Sequence, residues 1–176
     1  MVEYVYTLGH SNRSLEEFTK ILQNYSIQIL LDVRRFPSSR FLQHFSYSNL
    51  VKTLGEIKVD YVWIEELGGF RKFGKDIEDI GMGKSIKSEG FRAYATYLAT
   101  NSIAREALGK LASIARQKIT IIMCRERSPW RCHRIFISDY LFSRDFQVIH
   151  ILDLGKELKH KLPRYACLRN DEVVYP

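Results

Sequence analysis

Apolar and polar residues alternate in blocks along the chain, in a pattern that predicts strands separated by helices. Residues 3–9 (EYVYTLG) and 27–33 (IQILLDV) are short runs rich in β-branched and aromatic side chains. Runs of this length and composition are typical of strands. Between them Leu15, Phe18 and Leu22 recur with the helical period. The chain is therefore predicted to begin with a strand, a helix and a second strand.

The same alternation continues to about residue 152. Further strands are predicted at 60–67, 118–123 and 146–152, and further helices near 47–54, 91–99, 102–117 and 131–144. Strands that alternate with helices favour a mostly parallel sheet covered on both faces. We predict a single α/β domain over residues 1–176, with three α/β/α layers and about five strands. In such sheets ligands bind beyond the carboxyl ends of the strands.

Two segments depart from this pattern. Residues 68–90 are glycine-rich and charged and have no steady period. A loop of this length in a compact domain is typical of a functional lid or a disordered segment, and we predict an inserted mobile loop that closes over the site. Residues 155–176 read as a basic, weakly patterned C-terminal tail.

Composition narrows the class of protein. The chain of 176 residues is 45% hydrophobic and 27% charged, which is ordinary for a globular domain. No apolar run approaches the roughly 20 residues of a membrane span, and the first residues lack the features of a secretory signal. Three cysteines, an odd count, favour a reducing compartment. We expect a cytoplasmic protein without a membrane partner.

The charge favours an anionic partner. The net charge is +7 and the isoelectric point is near 9.3, which suits a nucleotide, a nucleic acid or another phosphate-bearing molecule. Arginines cluster at 34–40 and 124–134, and their planar guanidinium groups match phosphate and carboxylate geometry. Aromatic residues such as Phe36, Phe70 and Trp130 lie near these clusters and are suited to stacking on bases.

Polar, titratable or glycine residues follow four of the predicted strands. The candidate substrate-binding residues are His10, Asn12, Arg13, Arg34, Gly68, Gly69, Arg131 and Arg134, and the candidate catalytic residues are Cys124, Glu126, Asp32 and His133. Because the carboxyl ends of parallel strands share one edge, we expect His10, Asp32, Glu65 and Cys124 to surround one hollow.

The chemistry of these residues remains open between alternatives. Cys124 follows a buried strand and is either a nucleophile activated by nearby cations or a small packing residue. Asp32 and Glu126 could divide acid and base roles, or could brace arginines. A zinc site of Cys124, Cys132 and His133 is disfavoured. Seven residues separate the cysteines, against about two to four in common zinc motifs, and the neighbouring arginines would repel a dication. We expect no metal and no cofactor.

Several motifs together resemble one family. They are Gly9-His10-Ser11-Asn12, Asp32-Val33-Arg34 with Pro37 and Ser39, Leu67-Gly68-Gly69, Gly90-Phe91-Arg92 with Tyr94-Ala95, and Cys124-x-Glu126 through Pro129 to Cys132-His133-Arg134. In this order, from Tyr6 to about Leu152, they resemble the domain of unknown function family 488. The resemblance implies a compact α/β domain in a cytoplasmic chain, with the strand-end residues as motif positions, and it carries no settled reaction.

A fainter similarity is to rhodaneses and cysteine phosphatases, which have an Asp-x-Arg after an early strand and a cysteine loop between a later strand and a helix. The phosphatase loop places arginine six positions beyond the cysteine, where this chain has Trp130. This similarity implies sulfur or phosphoryl transfer by Cys124.

Three functions follow as hypotheses. The first is an enzyme, a hydrolase or a transferase, acting on an anionic small molecule or nucleic acid. Arg34, Arg131 and Arg134 would hold the anion, Glu126 or Asp32 would act as acid or base, and the reaction would take place near Cys124 and His133. The second is a non-catalytic nucleic-acid-binding module. The third is cysteine-dependent sulfur or phosphoryl transfer. The pattern leaves the oligomeric state and the strand order open.

Overall fold

A six-stranded sheet forms the centre of the computed structural model, which describes residues 3–176. Its strands are β1 (Glu3–Gly9), β2 (Ile29–Asp32), β3 (Asp60–Trp63), β4 (Thr120–Cys124), β5 (Phe146–Asp153) and β6 (Lys156–Lys159). They lie in the order β3-β2-β4-β1-β5-β6, and the first five are parallel, whereas β6 is antiparallel to β5. A separate hairpin pairs β7 (Cys167–Arg169) with β8 (Glu172–Val174).

Five α-helices connect and cover these strands. They are α1 (Leu15–Asn24), α2 (Tyr47–Glu56), α3 (Glu89–Thr100), α4 (Ser102–Ala115) and α5 (Arg134–Phe142). Short 3-10 turns occupy Gln43–Phe45, Glu65–Leu67 and Pro129–Arg131. Within residues 3–176 none of the helices has the length and apolar character that a membrane crossing requires.

The core lies in two layers, one on each face of the sheet. Phe18 of α1 and Leu50 of α2 pack against one face, and Tyr94 of α3, Leu108 of α4 and Phe136 of α5 pack against the other. Strands β2 and β4 are buried along their whole length, as expected for strands covered on both sides. The predicted α/β class with three layers is therefore confirmed.

The register of the strands brings their carboxyl ends to one edge. Gly9 at the end of β1 lies beside Cys124 at the end of β4, and Asp32 of β2 lies beside Met123. A side chain at Gly9 would place its Cβ 1.8 Å from the carbonyl oxygen of Glu126. Only glycine therefore lets the loop after β4 cross the end of β1.

The structure differs most from the prediction in three respects. Strand β3 ends at Trp63, because Glu65–Leu67 close a 3-10 turn in which Gly68 N–H donates to the Glu65 carbonyl. Helix α5 begins at Arg134, because the turn at Pro129–Arg131 precedes it. The sheet has six strands where about five were expected, since residues 155–176 supply β6 and also the β7–β8 hairpin.

Residues 68–88 form an irregular segment that leads into α3. Asp76 forms an ion pair with Arg35, with 2.8 Å between the carboxylate oxygen and the guanidinium nitrogen. The Arg71 guanidinium lies 4.2 Å from the centre of the Tyr97 ring. Ile86 is buried in the core beneath α3. The segment is thus attached to the domain at several points, and its predicted mobility stays a prediction.

Candidate active site

A cavity of about 480 Å³ opens at the carboxyl edge of the sheet. Its walls come from the loops after β1, β2 and β4, from the start of α3 and from the segment at 68–88. The titratable residues of the wall are His10, Arg34, Arg35, Arg125, Glu126, Arg131, Cys132 and His133, and the aromatic ones are Phe36, Phe70, Phe91 and Tyr94. The carboxyl edge of the parallel sheet, where ligands are expected to bind, thus contains a cavity lined by charged and aromatic side chains.

The reactive group on this wall is Cys132, beside His133 at the start of α5. The Cys132 Sγ lies 3.6 Å from the His133 Nδ1. Only 3% of Cys132 is exposed, and that exposure faces the cavity. The 3-10 turn at Pro129–Arg131 produces this placement, because it sets Cys132 immediately before the helix, where free backbone N–H groups favour an anion.

The imidazole of His133 is held in one orientation. Its Nε2 lies 2.8 Å from the carbonyl oxygen of Val33 and must carry the proton that it donates there. The other nitrogen, Nδ1, is therefore free to accept the Cys132 proton. Tyr94 packs edge-on against the ring at 5.1 Å, and a Cβ at Gly69 would lie 2.7 Å from Nδ1. Because Gly69 has no side chain, the His133 ring can pack directly against its backbone.

Charges and hydrogen bonds favour the thiolate at this position. Burial alone raises the pKa of Cys132, but the hydrogen bond from Cys124 and the charge of Arg134 together outweigh it and lower the pKa to about 7. Burial lowers the pKa of His133, so its imidazole is neutral at neutral pH. Cys132 and His133 thus have the protonation states of a nucleophile and its base.

Cys124 lies beneath this pair and does not reach the cavity. It is 1% exposed, and burial, followed by its hydrogen bond to Cys132, raises its pKa well above the ordinary value. The fully buried Arg134 donates to the Cys124 Sγ at 2.5 Å and to the Glu126 and Arg127 carbonyls at 2.5 and 2.9 Å. Through these hydrogen bonds the buried Arg134 fixes the backbone of the loop that follows β4.

A chain of buried polar groups continues from Arg134 through the core. Its Nε donates to the Thr7 hydroxyl at 3.2 Å, and that hydroxyl lies 2.7 Å from His150 Nδ1. His150 Nε2 lies 3.0 Å from His160 Nδ1, and His160 Nε2 lies 2.9 Å from Asp139. The Tyr175 hydroxyl donates to the same carboxylate at 2.8 Å. The chain thus joins a cation beside the thiols to a buried acid, through residues far apart in the sequence.

Asp32 anchors Arg34 instead of facing the cavity. The fully buried Asp32 carboxylate accepts from the backbone N–H of Arg34 at 3.0 Å, from its Nε at 2.9 Å and from its Nη2 at 2.6 Å. Tyr61 donates to the same carboxylate at 2.6 Å. Arg34 also donates to the Phe45 carbonyl at 2.8 Å, and its Nη1 lies 3.4 Å from the Nε2 of His10. Burial lowers the pKa of His10 to about 4, so His10 is a neutral acceptor.

Three charged side chains on the wall remain free of protein partners. Arg125, Glu126 and Arg131 are exposed, and among residues 3–176 no side-chain hydrogen bond or ion pair engages them. Arg35, by contrast, is committed to Asp76 and to the Phe70 carbonyl. The cationic groups available to a ligand are therefore Arg125 and Arg131.

The structure separates the candidate residues into three groups. His10, Arg34, Glu126, Arg131 and His133 line the cavity, whereas Asp32, Cys124 and Arg134 lie directly beneath it, and Gly68 and Gly69 pack against Arg35 and His133. The expectation that Cys124 and Asp32 face the hollow is corrected, because both are buried with protein partners.

Three other candidates lie outside the wall. Glu65 belongs to the turn after β3, and the Asn12 side chain accepts a hydrogen bond from Ser11, its one side-chain partner within residues 3–176. Arg13 is buried and donates to Glu17, Asp153 and the Leu152 carbonyl, so its guanidinium is not available to a ligand.

Sequence reasoning missed the leading residue. The sequence pattern assigns Cys132 only to the disfavoured zinc site, although Cys132 and His133 are adjacent in the motif. Across residues 3–176 no group of three or more His, Cys, Asp or Glu side chains is placed to hold a metal ion.

Comparison with family models matches residues 14–141, about three quarters of the chain, to the family described as "Domain of unknown function DUF488". Comparison with curated proteins and comparison with solved structures gave no match. The similarity to rhodaneses and cysteine phosphatases gains no support from these comparisons.

Proposed function

The chain belongs to the DUF488 family, and we propose that it is a cysteine-dependent enzyme, a hydrolase or transferase, acting on an anionic substrate. The family description names no reaction, so the proposal rests on the site itself. The observation that carries it is Cys132 Sγ beside the free Nδ1 of His133, in a cavity with two unpaired arginines.

The proposed first step uses the orientation of His133. The Val33 carbonyl retains the proton on Nε2, so Nδ1 accepts the proton of the Cys132 thiol. The thiolate attacks an electrophilic carbon or phosphorus atom of the substrate and forms a bond to it. The bond to the leaving group breaks, and the leaving group takes the proton from His133.

The second step releases the product. Water, or an acceptor hydroxyl in a transferase, attacks the covalent intermediate and gives up a proton. The bond to sulfur breaks with its electron pair on Cys132, and the resulting thiolate takes up that proton and becomes the thiol again. Glu126 is the free carboxylate on the wall and is the candidate base for that attack. Arg125 and Arg131 hold the anionic part of the substrate, as charged groups in a partly water-excluded hollow do effectively.

A nucleic-acid-binding module is the second candidate, and the exposed aromatic rings favour it. Phe70 is 80% exposed and Phe36 is 66% exposed, and both lie on the cavity wall near the free arginines. Stacking on such rings contributes about 1–3 kcal/mol per base. A binder would lose affinity steeply with salt, and Cys132→Ser would leave its affinity and its only function unchanged.

The test compares an anionic with a neutral alkylating reagent. Iodoacetate and iodoacetamide each transfer one alkyl group to a thiolate and release iodide, and a Cys167→Ser background removes the half-exposed third cysteine. We expect Cys132 to be the labelled residue. The ratio of the iodoacetate to the iodoacetamide rate should exceed that of free cysteine, because the arginines attract the anion.

Replacing Arg125 and Arg131 by glutamine should lower this ratio to the value for free cysteine. Arg169→Gln is the matched control, since Arg169 is exposed on the β7–β8 hairpin and lies outside the cavity. A ratio unchanged by loss of the cavity arginines would contradict an anionic substrate.

Screening against anionic esters, thioesters and phosphoesters tests turnover, which Cys132→Ser should abolish and Cys124→Ser should retain. Turnover that survives Cys132→Ser would contradict the assigned nucleophile.

A further inference from the structure

Strand β3 is one edge of the six-stranded sheet, and its outer side has no partner. The backbone N–H groups of Asp60 and Ile64 donate to carbonyls on the β2 side at 2.9 Å. Because successive residues of a strand point their backbone groups to opposite sides, the N–H and C=O groups of Tyr61 and Trp63 point away from β2. Residues 3–176 contain no partner for these outward groups.

The opposite edge of the sheet is protected against pairing, whereas β3 is not. Strand β6 consists of Lys156-Glu157-Leu158-Lys159, and all of these residues are exposed. Charged edge residues, lysine above all, prevent an edge strand from pairing with another chain. Strand β3 has no lysine, and its one charged residue, Asp60, is paired with Lys118. Val62 in the middle of β3 is 37% exposed. The β3 edge is therefore open to the addition of a strand.

Apolar surface flanks this edge on both faces of the sheet. On one face a groove of about 310 Å³ lies between β3 and a stripe of α4 residues at helical spacing, which are Ile103, Glu106, Ala107, Lys110 and Ile114. Ile103 is 60% exposed. On the other face Tyr47 of α2 packs edge-on against Tyr61 and Trp63 and is itself half exposed. A strand added to β3 would thus cover apolar side chains as well as backbone groups.

From this surface we propose that β3 pairs with β3 of a second copy of the chain, as antiparallel strands related by a two-fold axis. Tyr61 of each copy exchanges backbone hydrogen bonds with Trp63 of the other copy, so all the outward groups of both strands find partners. Val62 then lies at the axis, opposite Val62 of the second copy. The two sheets join into one continuous sheet through an isologous contact.

The charges of the groove favour a second copy as the partner. Glu106 and Lys110 lie one turn apart on α4, both exposed and 2.9 Å from each other. The two-fold axis sets the α4 helices of the two copies antiparallel, so Glu106 of each copy faces Lys110 of the other. The groove is thus complementary to itself. The chain carries a net charge of +7, whereas the charged residues of the groove, Glu66, Glu106 and Lys110, sum to −1. Overall repulsion is therefore weakest at this surface.

The dimer leaves the cavity at the carboxyl edge unchanged. Because the paired β3 strands are antiparallel, the carboxyl edges of the two sheets point in opposite directions. Each cavity is then built from one copy alone. The inference is therefore independent of the proposed function.

The experiment measures the mass of the full chain in solution by sedimentation equilibrium, from micromolar to submillimolar concentration. We expect a concentration-dependent dimer. Val62→Lys places two like charges opposite each other at the axis and should raise the dissociation constant by about a hundredfold or more. Leu158→Lys is the matched control, since Leu158 is a half-exposed residue of the other edge strand. It should leave the dissociation constant unchanged.

Two charge variants test the contact between the α4 helices. Glu106→Lys and Lys110→Glu should each raise the dissociation constant by about tenfold, because like charges then face each other across the axis. An equal mixture of the two variants should dimerise as the unmodified chain does, since one copy carries two lysines and the other carries two glutamates. Loss of the ion pair within one helix cannot be reversed by mixing.

A chain that stays monomeric throughout this concentration range overturns the proposal, and would leave the β3 edge to a strand of a different protein. A dimer that Val62→Lys weakens no more than Leu158→Lys also overturns it, because such a dimer uses another surface. Failure of the mixed charge variants to dimerise contradicts the antiparallel arrangement of α4 and overturns the two-fold pairing. Circular dichroism of each variant confirms that it is folded.

Discussion

Asp32→Asn is the substitution for which the structure predicts the largest loss of stability near the site. Asp32 is fully buried and is the ion-pair partner of Arg34, whose side chain is only 7% exposed. Asparagine keeps the size of the side chain but removes its charge, which leaves the Arg34 cation buried without compensation. Removing one partner of a buried ion pair costs about 3–5 kcal/mol.

This loss would be a large part of the free energy of unfolding, which is about 5–15 kcal/mol for a typical domain. Urea unfolding followed by tryptophan fluorescence measures it. Trp63 is a suitable probe because its indole N–H donates to the Arg34 carbonyl at 2.8 Å. The midpoint should fall while the dependence on urea stays the same.

Two further variants show whether the ion pair is the cause. Tyr61→Phe removes one hydrogen bond to the carboxylate and should cost about 1–2 kcal/mol. In the double variant Asp32→Asn with Arg34→Met no cation is left in the core, so its loss should be smaller than the sum of the two single losses. A cost below about 1 kcal/mol for Asp32→Asn would refute the scaffold role of Asp32 and reopen its role as acid or base.

The other stability predictions use matched pairs. Gly69→Ala should cost about 1–3 kcal/mol, because the new Cβ would lie 2.7 Å from the His133 ring, whereas Gly109→Ala in α4 meets no atom within 4 Å and should gain up to about 1 kcal/mol. Equal changes in the free energy of unfolding for the two variants, measured with urea, would contradict the close packing of Gly69 against His133. Tyr175→Phe removes one donor to the buried acid and should cost about 1–3 kcal/mol. Tyr165→Phe should change stability by less than about 0.5 kcal/mol, since no partner of its hydroxyl occurs within residues 3–176.

The edge that carries the site could be predicted from the sequence because it follows from chain topology. Parallel strands bring their carboxyl ends together, so His10, Arg34 and Glu126 meet although 116 positions separate the first from the last. The apolar runs of β1, β2 and β4 are long enough to show where each strand ends and its loop begins.

The role of each residue at that edge depended on packing that no local pattern reveals. Arg13 and Arg134 have the same sequence character as Arg125 and Arg131, yet the first two are buried and saturated by protein acceptors. Cys132 became the leading residue through a 3-10 turn that moved the start of α5 to Arg134. A shift of three residues at a helix end is within the uncertainty of sequence patterns.

The buried chain from Arg134 to Tyr175 had no sequence signal at all. Its members come from β1, α5, β5 and the C-terminal residues, and no spacing links them. The residues beyond 155 are weakly patterned because most of their side chains cover the domain edge, while His160 and Tyr175 alone enter the core.

The pH dependence of Cys132 alkylation tests the central claim most directly. In the Cys167→Ser protein, the rate of iodoacetamide labelling at Cys132, measured by peptide mapping, should rise with pH as the thiol loses its proton. The account predicts a midpoint near pH 7, against the ordinary value of 9.0, and a higher midpoint for Cys124→Ala, which lacks the hydrogen-bond donor that lowers the Cys132 pKa. A midpoint at the ordinary value, or labelling that begins only when the protein unfolds, would contradict the account.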